Sequence, residues 1–264
     1  MSTHAPLLQV RDVALRYIVR GRIFTRGQSD RWALRGVTFD VRTGETLGVI
    51  GRNGAGKTTL LRLLAGILGP DRGSVTRAPG VRASLLSLQV GFLPQLTGRE
   101  NATLSGMLLG LRRAEVADRF DSIVEFAELE SVIDDPISTW SDGMRARLGF
   151  AVAYCADPDL LLLDEALGTG DAAFHEKSAA AMRERIRSDR TCVLVSHDAA
   201  TIAELCDRCL WIERGQVAAA GEPRGVLAAY REALHATRVE RAGATVNLGT
   251  RQRDTAPGNA PARR

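Results

Sequence analysis

The sequence predicts an α/β fold: a mixed sheet core with an N-terminal antiparallel β subdomain and an α-helical subdomain. Three observations carry this. Short apolar runs at 160–163, 192–195 and 210–212 alternate with helical stretches, the pattern of a parallel sheet covered on both faces. A strand, a glycine-rich loop and a helix follow one another from residue 46 onward. Between about 95 and 157 the apolar spacing is mostly helical, which reads as an insertion into the sheet pattern.

Taken in order, β-rich stretches at 7–17, 33–41 and 46–50 predict strands, with an Arg/Gly-rich loop around 21–30 between the first two. Helical spacing over 57–68 is ended by the turn chemistry of Gly69-Pro70-Asp71. Within the insertion, helices are expected at 104–111, at 114–129 and from an opening at Ser141. The expected folded unit is 1–236. Residues 237–264, rich in Arg, Ala, Gly, Thr and Pro without periodicity, read as a flexible C-terminal tail.

Composition narrows the class. A chain of 264 residues buries a real core without staples. With 45% hydrophobic and 25% charged residues it is too polar for an integral membrane protein, and no apolar run approaches the roughly 20 residues of a spanning helix. The start lacks the pattern of a secretory signal, so a cytoplasmic protein is expected. Cys155, Cys192, Cys206 and Cys209 are too few and too irregularly spaced for a disulfide framework and read as structural thiols. A net charge of +4 invites a nucleic-acid reading, but the basic residues are mostly scattered and aromatics make up only 5%, so no nucleic-acid partner is expected.

Gly51-Arg52-Asn53-Gly54-Ala55-Gly56-Lys57-Thr58 fits the P-loop pattern, between a predicted strand and a predicted helix. Glycines let the backbone curl so that successive N–H groups converge on phosphate oxygens, and the helix N-terminus adds its positive dipole end. Lys57 is the candidate for the β- and γ-phosphates and Thr58 for Mg²⁺, while Thr59 continues the turn. Leu160-Leu161-Leu162-Leu163-Asp164-Glu165 feeds two carboxylates from a buried strand: Asp164 is the candidate to hold Mg²⁺, and Glu165 to accept a proton from an attacking water. Ser196-His197 follows another apolar strand, which puts the His197 imidazole at the same edge of the sheet, able to face the γ-phosphate.

With Trp140-Ser141-Asp142-Gly143-Met144 lying between the P-loop and Asp164, the chain resembles the ATPase subunits of ABC transporters over about 7–231. The resemblance implies a P-loop ATPase of ABC type that binds ATP and Mg²⁺. It also implies that Ser141 and Gly143 address the γ-phosphate bound on a second copy, so that two ATP are sandwiched in a homodimer. This loop departs from the family's commonest Leu-Ser-Gly-Gly-Gln form at its first, third and last positions. Asp171, in Gly168-Thr169-Gly170-Asp171, resembles the residue that meets the partner subunit, and Tyr17 resembles the aromatic that stacks adenine, though it equally suits a plain strand position. Either Gln89 or Gln95 answers to the glutamine near the metal, Gln89 having the better spacing.

Leu96-Thr97-Gly98-Arg99-Glu100-Asn101, Ser141 to Leu148 and Gly170 to Phe174 resemble the branch that exports O-antigen, teichoic acid, capsule or galactan chains. That resemblance implies transmembrane permease partners, a lipid-linked glycan as the transported substrate, and a place on the cytoplasmic face of the membrane.

Overall fold

The computed structural model describes residues 6–19, 29–86, 91–164, 172–188 and 190–236. Two sheets organise them. The first is antiparallel, with β1 (Pro6–Val19) between β2 (Ser29–Arg42) and β4 (Arg72–Arg77). The second runs in the order β5 (Ala83–Leu86), β6 (Leu160–Asp164), β7 (Thr191–Val195), β3 (Thr46–Ile50), β8 (Arg208–Glu213) and β9 (Gln216–Gly221). Its strands are parallel up to β8, and β9 returns antiparallel. The fold is therefore α/β, with the antiparallel N-terminal sheet that the sequence predicts. Three strands escaped the sequence: in β9, Gln216-Val217-Ala218-Ala219-Ala220-Gly221, most residues have little strand preference, and pairing with β8 makes the strand. β4 and β5 are likewise short edge segments. The predicted loop at 21–30 lies mostly outside the described residues, and its last two residues belong to β2.

The central strands are buried on both faces, as their unbroken apolar runs require. In β6, Leu160 and Leu162 join one core cluster while Leu161 and Leu163 join another. In β7, Val193 and Val195 face the first and Cys192 and Leu194 the second. The first cluster lies between the two sheets around α1 (Lys57–Leu64), which contributes Leu60, Leu61, Leu63 and Leu64. Across the sheet, the second packs against α5 (Asp142–Cys155), α6 (Ala172–Arg187), α7 (Ala199–Leu205) and a last helix, α8, over 223–236.

One irregularity in β1 decides which residues face that core. Its pairing slips between Val10 and Val13, where Asp12 has φ +46° and its N–H donates to Thr38 Oγ1 at 2.9 Å. The bulge reverses the alternation, so that Leu8 and Val10 before it and Val13 and Leu15 after it are all buried in one cluster.

The helices differ from expectation at their ends. α1 stops at Leu64 rather than 68, because Gly66 takes φ +78° and the N–H of Ile67 turns back to the Arg62 carbonyl, a glycine C-cap that precedes the Gly69-Pro70 turn. In place of 104–111, α2 spans Gly98–Leu108, opened by Thr97 and Glu100 as a capping box. In place of one helix over 114–129 there are two, α3 (Arg113–Asp118) and α4 (Phe120–Ala127), broken at Arg119. That break aims the Arg119 guanidinium at the Cys155 and Ala156 carbonyls, 3.0 Å from each, and so satisfies the C-terminal end of α5.

The motif at 96–101 turns out to be a clasp. Asn101, fully buried, accepts from the Leu93 N–H and donates to the Leu93, Leu96 and Thr97 carbonyls, which holds the preceding loop in one shape. Gly98 lies so close under Trp140 that a Cβ would overlap the indole ring. The clasp thereby fixes the residue immediately before Ser141.

All four cysteines are free thiols, as expected. Burial pushes Cys192 and Cys209 up to about 12, so both are neutral core groups at ordinary pH. Among the described residues no helix is long and apolar enough to cross a membrane. The predicted tail, 237–264, lies outside the described residues.

Candidate functional site

The P-loop leaves β3 at Ile50 and enters α1 at Lys57. Its back is fitted against two other strands. A Cβ on Gly51 would overlap the Ile212 carbonyl oxygen of β8, and one on Gly56 would sit 2.6 Å from the Ala33 carbonyl oxygen of β2. Gly56 caps α1 with φ +110° and no side-chain hydrogen bond, so the first N–H groups of the helix are left to whatever enters the loop. The Gly215 N–H donates to the Ala55 carbonyl at 2.8 Å, and the Gly215 carbonyl accepts from Arg35, which ties loop, β2 and the β8–β9 turn together. Gly51→Ala should therefore destabilise the fold by roughly 1–3 kcal/mol. Urea unfolding checks it; an unchanged midpoint would mean that the loop can back away from β8.

Lys57 is almost wholly buried, and its Nζ donates to the Gly51 carbonyl at 2.7 Å and the Arg52 carbonyl at 3.2 Å. Burial lowers its pKa, and the nearby Asp164 carboxylate pulls the other way. The ammonium thus waits on two neutral carbonyls inside the loop, and phosphate oxygens offer it stronger, charged acceptors. Asp164 ends β6 in register with Val195 of β7, while Val195 is itself in register with Val49 of β3. The carboxyl ends of three strands therefore converge, and Asp164, Lys57 and Thr58 line one cavity of about 500 Å³. A hydroxyl and a carboxylate at its base are the hard oxygen donors that suit Mg²⁺.

The same cavity is lined by Asn53, Gly54, Gly56 and Thr59 of the loop and by Tyr17. Tyr17, 40% exposed, places its hydroxyl 3.3 Å from Thr59 Oγ1. The Tyr17 hydroxyl therefore reaches the first turn of α1 at the edge of the cavity. Trp32 also lines the cavity, with the Arg16 and Arg72 guanidinium carbons 5.7 and 5.8 Å from its ring centroid. Sequence reasoning gave Trp32 no role. The available signal was its place in β2, where its neighbour Arg31 pairs with Tyr17. Arg52 holds Lys57 through its carbonyl, but its side chain lines a different cavity.

Ser141 caps α5, its Oγ accepting from the Met144 N–H at 3.2 Å, and Arg145 braces the junction by donating to the Trp140 carbonyl at 2.6 Å. Ser141 is exposed, the space around Gly143 is open, and neither lines the cavity that holds Lys57 and Asp164. The N-terminus of α5 and the cavity of the P-loop are therefore separate in one chain.

His197 follows β7 in an exposed turn, where Ser196 Oγ accepts from the Asp198 N–H and Asp198 caps α7. It stands on the converging strand edge but does not line the cavity. Gln95 is exposed beside the Asn101 clasp. Glu165, Asp171 and Gln89 lie outside the described residues.

Residues 34–168 match the family described as ABC transporter. The O-antigen export system ATP-binding protein RfbB of Klebsiella pneumoniae is 44% identical over 202 residues, 76% of this chain and 82% of that protein. RfbB of Myxococcus xanthus is 44% identical over 227 residues, 86% of this chain but 52% of that protein, so the chain spans about half the length of that relative. A solved ATP binding subunit of an ABC transporter superposes with a TM-score of 0.63 at 26% identity, over 82% of this chain and 90% of that one. A P-loop backed by two sheets, an acid at the tip of β6 and a serine-capped helix that does not line their cavity are thus found on a sequence of matching kind: the chain belongs to the ABC transporter family and carries its ATP-binding unit.

Proposed function

We propose that this chain hydrolyses ATP to power export of a lipid-linked polysaccharide through a separate transmembrane partner, at the cytoplasmic face of the membrane. The observation that carries the reading is the split site: Lys57 and Asp164 share a cavity from which Ser141 and Gly143 of the same chain are absent. Two copies related by a two-fold axis would each complete the other's site, with ATP between the P-loop of one and the α5 N-terminus of its partner. The names of the relatives, both O-antigen export ATP-binding proteins, support the polysaccharide as cargo.

In this reading the loop N–H groups and Lys57 bind and orient the β- and γ-phosphates, and Tyr17 packs against the adenine. Thr58, Asp164 and Gln89 would hold Mg²⁺, which supplies charge neutralisation at the phosphate oxygens. Glu165 takes the proton of the attacking water, His197 meets the γ-phosphate, and Asp171 meets the partner copy. Work on the permease comes from the difference in ATP affinity between the open and closed dimers, since equal affinities would shift nothing.

Ser141→Asp tests the split site, because aspartate caps a helix as well as serine while placing a negative charge against the partner's γ-phosphate. Turnover should fall about tenfold, since like charges facing across an interface cost free energy and salt screens part of it. ATP affinity of the monomer and the unfolding midpoint should stay unchanged. An unchanged turnover would sink the shared site. For the cargo, the membrane protein that co-purifies with this chain is placed in vesicles and assayed for ATP-dependent movement of polysaccharide. ATPase stimulation by polynucleotide without any membrane partner would overturn the export reading.

A further inference from the structure

The cavity that holds Lys57 and Asp164 has a second cationic residue in its lining, Arg31, for which neither the P-loop pattern nor the proposed chemistry has a use. Arg31 lies in β2 directly opposite Tyr17 of β1, beyond the last slip in the pairing of the two strands. Opposed residues of an antiparallel pair project from the same face with Cα atoms about 5 Å apart, so the two side chains leave the sheet together. Tyr17 shows where that face leads, because its hydroxyl reaches Thr59 Oγ1 in the first turn of α1 at 3.3 Å. An extended arginine spans at least the same distance. Two other cations at this end of the sheet are engaged: the Arg16 and Arg72 guanidinium groups lie over the Trp32 ring. Arg31 is exposed, and among the described residues its guanidinium has no hydrogen-bond or ion-pair partner.

Electrostatics supply the reason for a cation here. The charge of a nucleoside triphosphate together with that of Asp164 exceeds what one ammonium and one divalent cation neutralise, so a further positive charge beside the phosphates is favourable. The phosphate run also has a direction. Its γ end belongs with Thr58 and Asp164, and the α-phosphate, which carries the nucleoside, belongs toward Thr59 and Tyr17. The base is neutral and has the Tyr17 ring to pack on, whereas a guanidinium gains most from a charged acceptor, to which it offers two parallel donors. We infer that Arg31 is a phosphate-binding residue of the nucleotide site, its guanidinium donating from β2 to the α-phosphate oxygens while the loop N–H groups and Lys57 hold the rest. The assignment rests on the reading of this cavity as a triphosphate site, and neither on export nor on a partner copy.

Calorimetric titration of the full chain with ATP and with inorganic tripolyphosphate tests it, since the second ligand keeps the phosphates and lacks base and ribose. Arg31→Gln should weaken both ligands about ten-fold, the low end for a hydrogen bond to a charged group, as suits an exposed side chain. Arg31→Glu should weaken both further, because it turns a negative charge toward the phosphates. Both variants should keep the parental unfolding midpoint, since the residue is on the surface. Unchanged tripolyphosphate affinity in the two variants would overturn the assignment whether or not ATP binding weakens, because a contact to base or ribose alone spares tripolyphosphate. A parental chain that binds neither ligand would overturn the triphosphate reading and this assignment with it. A parent and variants that all bind both ligands equally well would remove only the role of Arg31.

Discussion

Glu165→Gln should lower the ATP turnover number about 10²–10⁴-fold, the contribution usual for a positioned general base. Asp164, the residue before it, lines the nucleotide cavity at the tip of β6, so the chain leaves the strand at the place where an attacking water would approach the γ-phosphate. Glutamine keeps the size and hydrogen-bonding shape of the side chain and loses only the ability to take a proton. Nucleotide binding should survive, and the dimer should accumulate in its ATP-bound form because the step that opens it has been removed. Size-exclusion chromatography with ATP, alongside a phosphate-release assay, reads both effects. Turnover at the parental rate would take the role of base away from Glu165.

Lys57→Ala should weaken ATP binding itself by about 100-fold, since hydrogen bonds to charged groups contribute roughly 1.5–3 kcal/mol and this ammonium would reach two phosphates. The side chain is nearly buried and already held 2.7 Å from the Gly51 carbonyl, so it is in place before the ligand arrives and little ordering is required on binding. Removing it deletes the buried positive charge, and it also frees the carbonyls that shaped the loop. Calorimetric titration of ATP should therefore show the loss, and Lys57→Arg should not restore it, because a planar guanidinium does not fit where a compact ammonium donates to two carbonyls at once. Unchanged affinity in the alanine variant would mean that the backbone N–H groups alone hold the phosphates.

Much of the nucleotide site was legible because its parts are local in sequence. A loop that binds through its own backbone announces itself by contiguous glycines, as Gly51 to Thr58 does, and an acid at the tip of a buried strand announces itself by the leucines before it. Ser141 was legible for the same reason, as a cap with its helix following. The end of α1 at Gly66 was equally local but was outweighed by the stronger turn signal at Gly69-Pro70. The break at Arg119 was not local: it exists to satisfy carbonyls at 155 and 156, more than 30 residues away in the chain, and helical periodicity runs straight through it.

By itself, then, the sequence determined the order of strand, loop and helix, the two-sided burial of the central strands, the P-loop and the acid at the tip of β6, because each depends on neighbours along the chain. Only the tertiary structure decided which of them meet. The slip at Asp12 reverses the alternation of β1, and no hydrophobic period records such a reversal, yet it puts Val13 and Leu15 in the same core cluster as Leu8 and Val10. Trp32 enters the nucleotide cavity, the Arg52 side chain leaves it for the pocket under α8, and Ser141 is held outside it by Gly98 packed under Trp140. Each of these follows from register and close packing between segments far apart in sequence, where a shift of one residue exchanges the side chains that face a site for those that face away.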